Sequence, residues 1–166
     1  MADSMHDGNL YVNGNLASKT FTPASGSIKN SSIEASAGIA ASKLQHRFRV
    51  GHTQVHGSAA TAERRVCHVV RGATATINSM RAGNVVAATG DSTVTIDLKK
   101  NGSTILSATI QLDTGNAAYA LEAPSGFTST ALVQGDVLEI VQTVSAGTGT
   151  LPQGVFTVVE IDEDAA

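Results

Sequence analysis

The stretch Thr93-Val94-Thr95-Ile96-Asp97-Leu98-Lys99-Lys100-Asn101-Gly102-Ser103-Thr104-Ile105-Leu106-Ser107-Ala108-Thr109-Ile110-Gln111-Leu112 decides the fold. Val94, Ile96 and Leu98 alternate with polar residues, the period of two expected of a half-buried strand. Asn101-Gly102 supplies two residues that tolerate positive φ, as a tight hairpin turn requires. Leu106, Ala108, Ile110 and Leu112 restart the alternation on a return strand. The stretch therefore predicts a β-hairpin. Two further strands are predicted at residues 136–144 and 154–162.

Composition bounds what surrounds this hairpin. The chain has 166 residues, enough for one ordinary domain and an arm. Aromatic residues are 4% and Trp is absent, so the core must be aliphatic. Charged residues are 15%, well below the usual quarter, and Gly, Ala, Ser and Thr take their place. Such a surface is either a neutral β surface or one buried against other chains. The net charge of −3 hides an asymmetry. Residues 43–81 carry Lys43, Arg47, Arg49, Arg64, Arg65, Arg71 and Arg81 against Glu63, about +6. Residues 82–166 carry Lys99 and Lys100 against ten acidic residues, about −8. Complementary patches of this kind would steer subunits into register, or else form two solvated faces.

The basic residues lack interleaved aromatics, and no nucleic-acid module is present, which argues against a nucleic-acid partner. Cys67 is alone, so no intrachain disulfide framework exists. Its setting, Val66-Cys67-His68-Val69-Val70, reads as a buried strand position rather than a catalytic thiol. The N-terminal residues are polar and predict no signal peptide. No apolar run approaches the ~18 residues of a membrane helix, so no membrane partner is expected.

Upstream, Leu10-Tyr11-Val12-Asn13-Gly14-Asn15-Leu16 places an Asn-Gly turn between short apolar flanks and predicts a very small hairpin. Two such strands are not stable alone in water and need something to dock on. Residues 22–27 read as a flexible link. Residues 28–46 are Ala- and Ser-rich, with Ile33, Ile39 and Leu44 far apart. Helix is one reading, with Ser31 or Ser32 as N-cap, though Gly38 costs it about 1 kcal/mol relative to Ala. The segment reads as an arm that gains order from a neighbour.

The pattern Ile33-x5-Ile39-x3-Lys43-Leu44 is similar to a segment of tailed-bacteriophage virion proteins, where it precedes a β-rich domain. The later stretches at residues 94–113, 135–141 and 154–162 resemble the small β-sandwich modules of phage structural proteins. The resemblance implies a virion structural protein of the capsid-decoration (cement) or head-fibre type. It implies a homotrimer on the capsid surface, with the major capsid protein as partner, made in the host cytoplasm.

Further strands are predicted at 47–55, 65–70 and 73–80, the last with Ala73, Ala75, Ile77 and Ser79 on one side. In the first, Phe48 and Val50 face one way, Arg47 and Arg49 the other. Tyr119-Ala120-Leu121 is a candidate short strand. Short strands with turns between them predict an all-β protein. The expected architecture is a β-sandwich or jelly-roll-like domain at 46–166, preceded by an extended N-terminal arm at 1–45.

Four histidines, His46, His52, His56 and His68, are the metal candidates, but no Asp, Glu or Cys completes a zinc-type spacing. Hydrogen-bonded or interface His is the default, and no metal or cofactor is expected. Glu160-Ile161-Asp162-Glu163-Asp164 lacks a calcium-loop pattern and reads as a solvated tail. Asp97 and Asp136 are explained by strand exposure and turn formation rather than as a hydrolase pair. No G-x-S-x-G elbow or phosphate loop occurs, so an enzyme is not expected. Candidate contact residues therefore lie in the arm: Leu10, Tyr11, Val12, Leu16, Phe21, Ile28, Ile33, Ile39 and Leu44, for capsid or subunit. Arg47 and Arg49 are candidate subunit-interface residues. The competing expectation is a receptor- or glycan-binding head of a fibre or spike, weakened by the scarcity of aromatics.

Overall fold

The computed structural model describes residues 45–164. The expected arm hairpin and weak helix, and the arm candidates Leu10, Tyr11, Val12, Leu16, Phe21, Ile28, Ile33, Ile39 and Leu44, lie outside the described residues.

Among the described residues nine strands form in order: β1 Gln45–Thr53, β2 Glu63–Val69, β3 Thr74–Gly83, β4 Thr93–Lys100, β5 Ser103–Thr104, β6 Ile110–Leu112, β7 Ala131–Val133, β8 Val137–Ser145 and β9 Phe156–Asp164. They make two antiparallel sheets. One has the order β1-β9-β3-β7, the other β2-β8-β4-β5, with β6 also on β4. With β5 and β6 taken as one interrupted strand, the nine strands are a long antiparallel hairpin whose arms pair as β4 with β5/β6, β3 with β7, β2 with β8 and β1 with β9. This hairpin then rolls up, which adds the pairs β4–β8 and β3–β9. That is the double-Greek-key order of a jelly roll. The all-β sandwich expected from the alternating strands is the observed architecture.

The tip of the roll is the Asn101-Gly102 turn, where both residues take positive φ, 51° and 85°. Asn101 also clamps the tip to β8. Its Nδ2 donates to Asp136 Oδ1 at 2.6 Å and its Oδ1 accepts from the Val137 amide at 2.8 Å.

The alternation of β4 places Val94, Ile96 and Leu98 fully inside. From β9 come Val159 and Ile161, from β8 Leu138 and Ile140, and between the sheets also lie Met80, Leu112 and Leu132. The core is aliphatic, as the composition requires.

Four local expectations are corrected. The return strand of the hairpin is split: Lys99 faces Thr104, yet Ile96 faces Ile110, so three extra residues loop out. Leu106 leaves the ladder to bridge Phe127, and Ser107 and Ala108 are exposed. In β3 the register shifts between Ile77 and Ser79, so Ala75 and Ile77 point in, and after the bulge Met80 and Ala82 do. One extra residue reverses the faces, and Ser79 is not the inward residue. Ala73 is outside the strand and exposed. Residues 119–121 form no strand: Tyr119 takes φ 64° and only Glu122 bridges to Ala82. The acidic end is no solvated tail, because β9 runs through Asp164 between β1 and β3.

A candidate assembly surface on the open side of the sandwich

Each sheet has two edges, and they differ. On one side the edges are β7, with three residues, and the short pieces β5 and β6. Short and interrupted edges discourage pairing with other chains. On the other side the edges are β1, nine residues long, and β2, seven. β2 carries a bulge between Val66 and His68. β1 has no register shift and pairs with β9 from Gln45↔Asp164 to Thr53↔Phe156. Among the described residues, no strand pairs with its outer side.

The direction of each backbone group on β1 follows from one bond. Gln54 N donates to Val155 O at 2.8 Å, in the same register as β1 with β9. Directly opposed residues alternate between hydrogen-bonded and non-bonded pairs. His46, Phe48, Val50 and His52 therefore bond to β9, while the N–H and C=O groups of Gln45, Arg47, Arg49, Gly51 and Thr53 point to the outer edge.

The side chains divide the same way. Arg47 and Arg49 face outward beside acidic residues of β9. Arg47 Nε donates to Asp162 Oδ1 at 2.7 Å and Nη2 to Oδ2 at 2.8 Å. Arg49 Nε donates to Glu160 Oε1 at 2.8 Å. On the other sheet Arg64 makes the same fork with Glu139, at 2.9 and 2.6 Å. The charge asymmetry read from the sequence is thus resolved within the fold, by cross-strand pairs that join the basic first strands to the acidic later ones. The Arg47 guanidinium, with help from Asn78, holds the Asp162 carboxyl down to about 2. These pairs are solvent-facing and screened, so they add little stability, but they neutralise the strand locally.

The inward row of β1 reaches the seam between the sheets, which two histidine–carboxylate contacts bridge in opposite senses. His52 Nε2 on β1 lies 2.5 Å from Glu63 Oε2 on β2. His68 Nε2 on β2 lies 2.7 Å from Glu163 Oε2 on β9. Glu63 also accepts from Arg65 and from Gln54 Nε2 at 3.2 Å. Arg65 first and Gln54 second bring its carboxyl down to about 2, against the opposing effect of burial. Glu163 is buried, and burial alone would raise it. The amides of Gly72 and Arg71 and the His68 ring outweigh that and hold it below the ordinary carboxylate range.

His52, Gln54, Ser58, Thr61, Glu63 and Arg65 line a shallow cleft of about 210 Å³ at one end of the seam. Its polar groups are engaged with one another. Gln54 Nε2 reaches Thr61 O at 2.9 Å, and Gln142 Nε2 reaches Gln54 Oε1 at 2.9 Å.

This side also leaves some apolar side chains exposed. Phe48 of β1 packs against the His68 ring of β2, at 5.4 Å between centroids, and is still 39% exposed. Val66 on β2 is 59% exposed and Val69 43%. Of the sequence candidates, Arg47 and Arg49 belong to this surface. The four histidines do not converge: His52 and His68 sit on different carboxylates, and no group of three or more His, Cys, Asp or Glu with metal-holding geometry occurs among the described residues. Cys67 is half-buried at the β2 bulge, and burial pushes its thiol up to about 11. Asp97 accepts from Thr104 Oγ1 at 2.7 Å and Asp136 from Asn101 and the Val133 amide, so each has a structural partner.

The exposed face of Phe48 and the buried state of Glu163 were not legible in the sequence, since both depend on which strand lies at an edge. In the comparisons with known proteins, no family model matches the chain and no curated protein matches it.

Proposed function

We propose that this chain is a non-enzymatic structural protein of a tailed-phage virion, one that decorates and stabilises the capsid through contacts with the major capsid protein and with copies of itself. The observation that carries an assembly role is the open β1–β2 side. A nine-residue strand edge with no register shift lies there, beside partly exposed Phe48. An unpaired sheet edge of this kind is a surface for other chains. The phage setting rests on the resemblance of residues 33–44 and of the later β stretches. So does the homotrimer, with the arm at 1–45 as its anchor. Jelly rolls occur in viral capsid and lectin domains alike, so the fold by itself favours neither.

The test is a deletion of residues 1–45. It should abolish attachment to phage heads in co-sedimentation while leaving the thermal melt of the β domain in place. A truncated chain that still binds heads at full occupancy overturns the role given to the arm. A chain that sediments with tails and not heads overturns the decoration reading.

One observation favours the alternative of a receptor- or glycan-binding head. Tyr119 is 70% exposed on a loop, held at φ 64°, with Leu121 also exposed beside it in sequence. An aromatic ring displayed in this way is a platform on which a sugar ring stacks. Binding on a glycan array that disappears with Tyr119→Ala would replace the decoration reading with this one.

A further inference from the structure

We infer that the outer edge of β1 is completed by β1 of a second copy, antiparallel about a two-fold axis centred on Arg49. This deepens the assembly reading above by naming the partner of that edge, and it rests on that reading but not on the virion setting.

The strand is complementary to itself. The outward-pointing backbone groups belong to Gln45, Arg47, Arg49, Gly51 and Thr53, all odd-numbered, so hydrogen-bonded pairs in a two-fold arrangement must join odd residues to odd residues. The register that sets Arg49 opposite its own copy pairs all nine residues of β1, from Gln45 opposite the second Thr53 to Thr53 opposite the second Gln45. A shift of two residues in either direction loses pairs at the ends.

The side-chain rows agree with this register. On the inward face Phe48 falls opposite Val50 of the second copy, and Val50 opposite Phe48. Aromatic against β-branched is a favourable cross-strand pair, and it would cover exposed surface of Phe48. On the outward face Arg47 falls opposite Gly51, which has no side chain to crowd it. Arg49 faces Arg49, an unfavourable pair if the two were bare. Each is already bonded to Glu160 of its own chain, and its side chain is 71% exposed, so the guanidinium remains in water and neutralised. Because β9 balances the arginines of β1, the edge carries little net charge to repel a second copy.

The experiment uses the full chain with Cys67→Ser and a single new thiol. With Arg49→Cys, the two Cα atoms in a pair lie about 5.5 Å apart, and a short bismaleimide should join two copies in high yield. With Arg47→Cys, the thiols in a pair are four residues apart along the strand, about 14 Å, and the yield should fall at least tenfold. Equal cross-linking at the two positions overturns the register. No cross-link at Arg49→Cys overturns the pairing, whatever else covers the edge. As a second measurement, Arg49→Pro removes one outward N–H without touching the β9 ladder. Sedimentation equilibrium should then show the two-fold contact weakened at least tenfold, and an unchanged association constant counts against the proposal. Head co-sedimentation reads the proposed function and the cross-link reads the pairing, so either can fail with the other intact.

Discussion

His68 of one sheet and Glu163 of the other meet across the seam, Nε2 to Oε2, at 2.7 Å, with the amides of Arg71 and Gly72 donating to the second carboxylate oxygen. Three donors thus converge on one buried carboxylate at the edge of the sandwich. Glu163→Ala would leave two amides and an imidazole without their acceptor. Removing a charged acceptor from buried donors costs about 1–3 kcal/mol, more where several donors are orphaned. Chemical denaturation should show a loss of about 3 kcal/mol at neutral pH, with an unchanged slope against denaturant.

The same carboxylates set the acid limit of stability. Glu63 falls from 4.5 to about 2 in the folded chain, and Glu163 is also lowered. A carboxyl lowered on folding contributes stability that is complete above its ordinary value and is lost as pH falls through the folded value. Stability should therefore be flat down to about pH 5 and fall between about pH 4.5 and 2. In Glu63→Gln the steepness of that fall should diminish, as followed by thermal melts at stepped pH. An identical acid profile in the variant would remove Glu63 from the account.

At the tip of the roll, Asn101 combines a positive φ with a two-point clamp on β8. The two contributions separate by substitution. Asn101→Gly retains the conformation and loses the clamp, whereas Asn101→Ala loses both. Each lost hydrogen bond is worth about 0.5–1.5 kcal/mol, and the αL penalty for Ala adds about 1 kcal/mol. Asn101→Ala should be the less stable of the two in denaturant melts by about that last amount.

In the centre of the core, Leu98 is fully buried between the sheets. Leu98→Ala should cost about 2–5 kcal/mol through lost burial and an unfilled cavity. Val158, on the solvent side of β9, should tolerate Ala within about 1 kcal/mol by the same measurement.

Burial pushes the Cys67 thiol up to about 11, which leaves little thiolate at pH 8. A disulfide reagent should label it on the order of a hundredfold more slowly in the native chain than in denaturant. Native labelling at the unfolded rate would mean that β2 opens on the timescale of the assay.

The sequence by itself determined the sheet character of the described residues and the turn at the tip of the roll. A period of two over residues 94–98, an Asn-Gly pair and an aliphatic composition are local facts, and local sterics convert them directly into strands and a hairpin. Tertiary structure decided the rest. The bulges after Ile77 and Val66 reverse which residues face the core, and no local pattern announces them before the partner strand is known. The basic first strands and the acidic last ones looked like separate patches because they are about a hundred residues apart. The roll places β1 beside β9, where Arg47 and Arg49 meet Asp162 and Glu160. An edge is likewise a property of the whole sheet: nothing in Arg47-Phe48-Arg49-Val50 says that β9 lies on one side and, among the described residues, no strand on the other. Pairing between strands distant in sequence is set by the packing of the whole core, and the surface proposed for assembly exists only once that packing is complete.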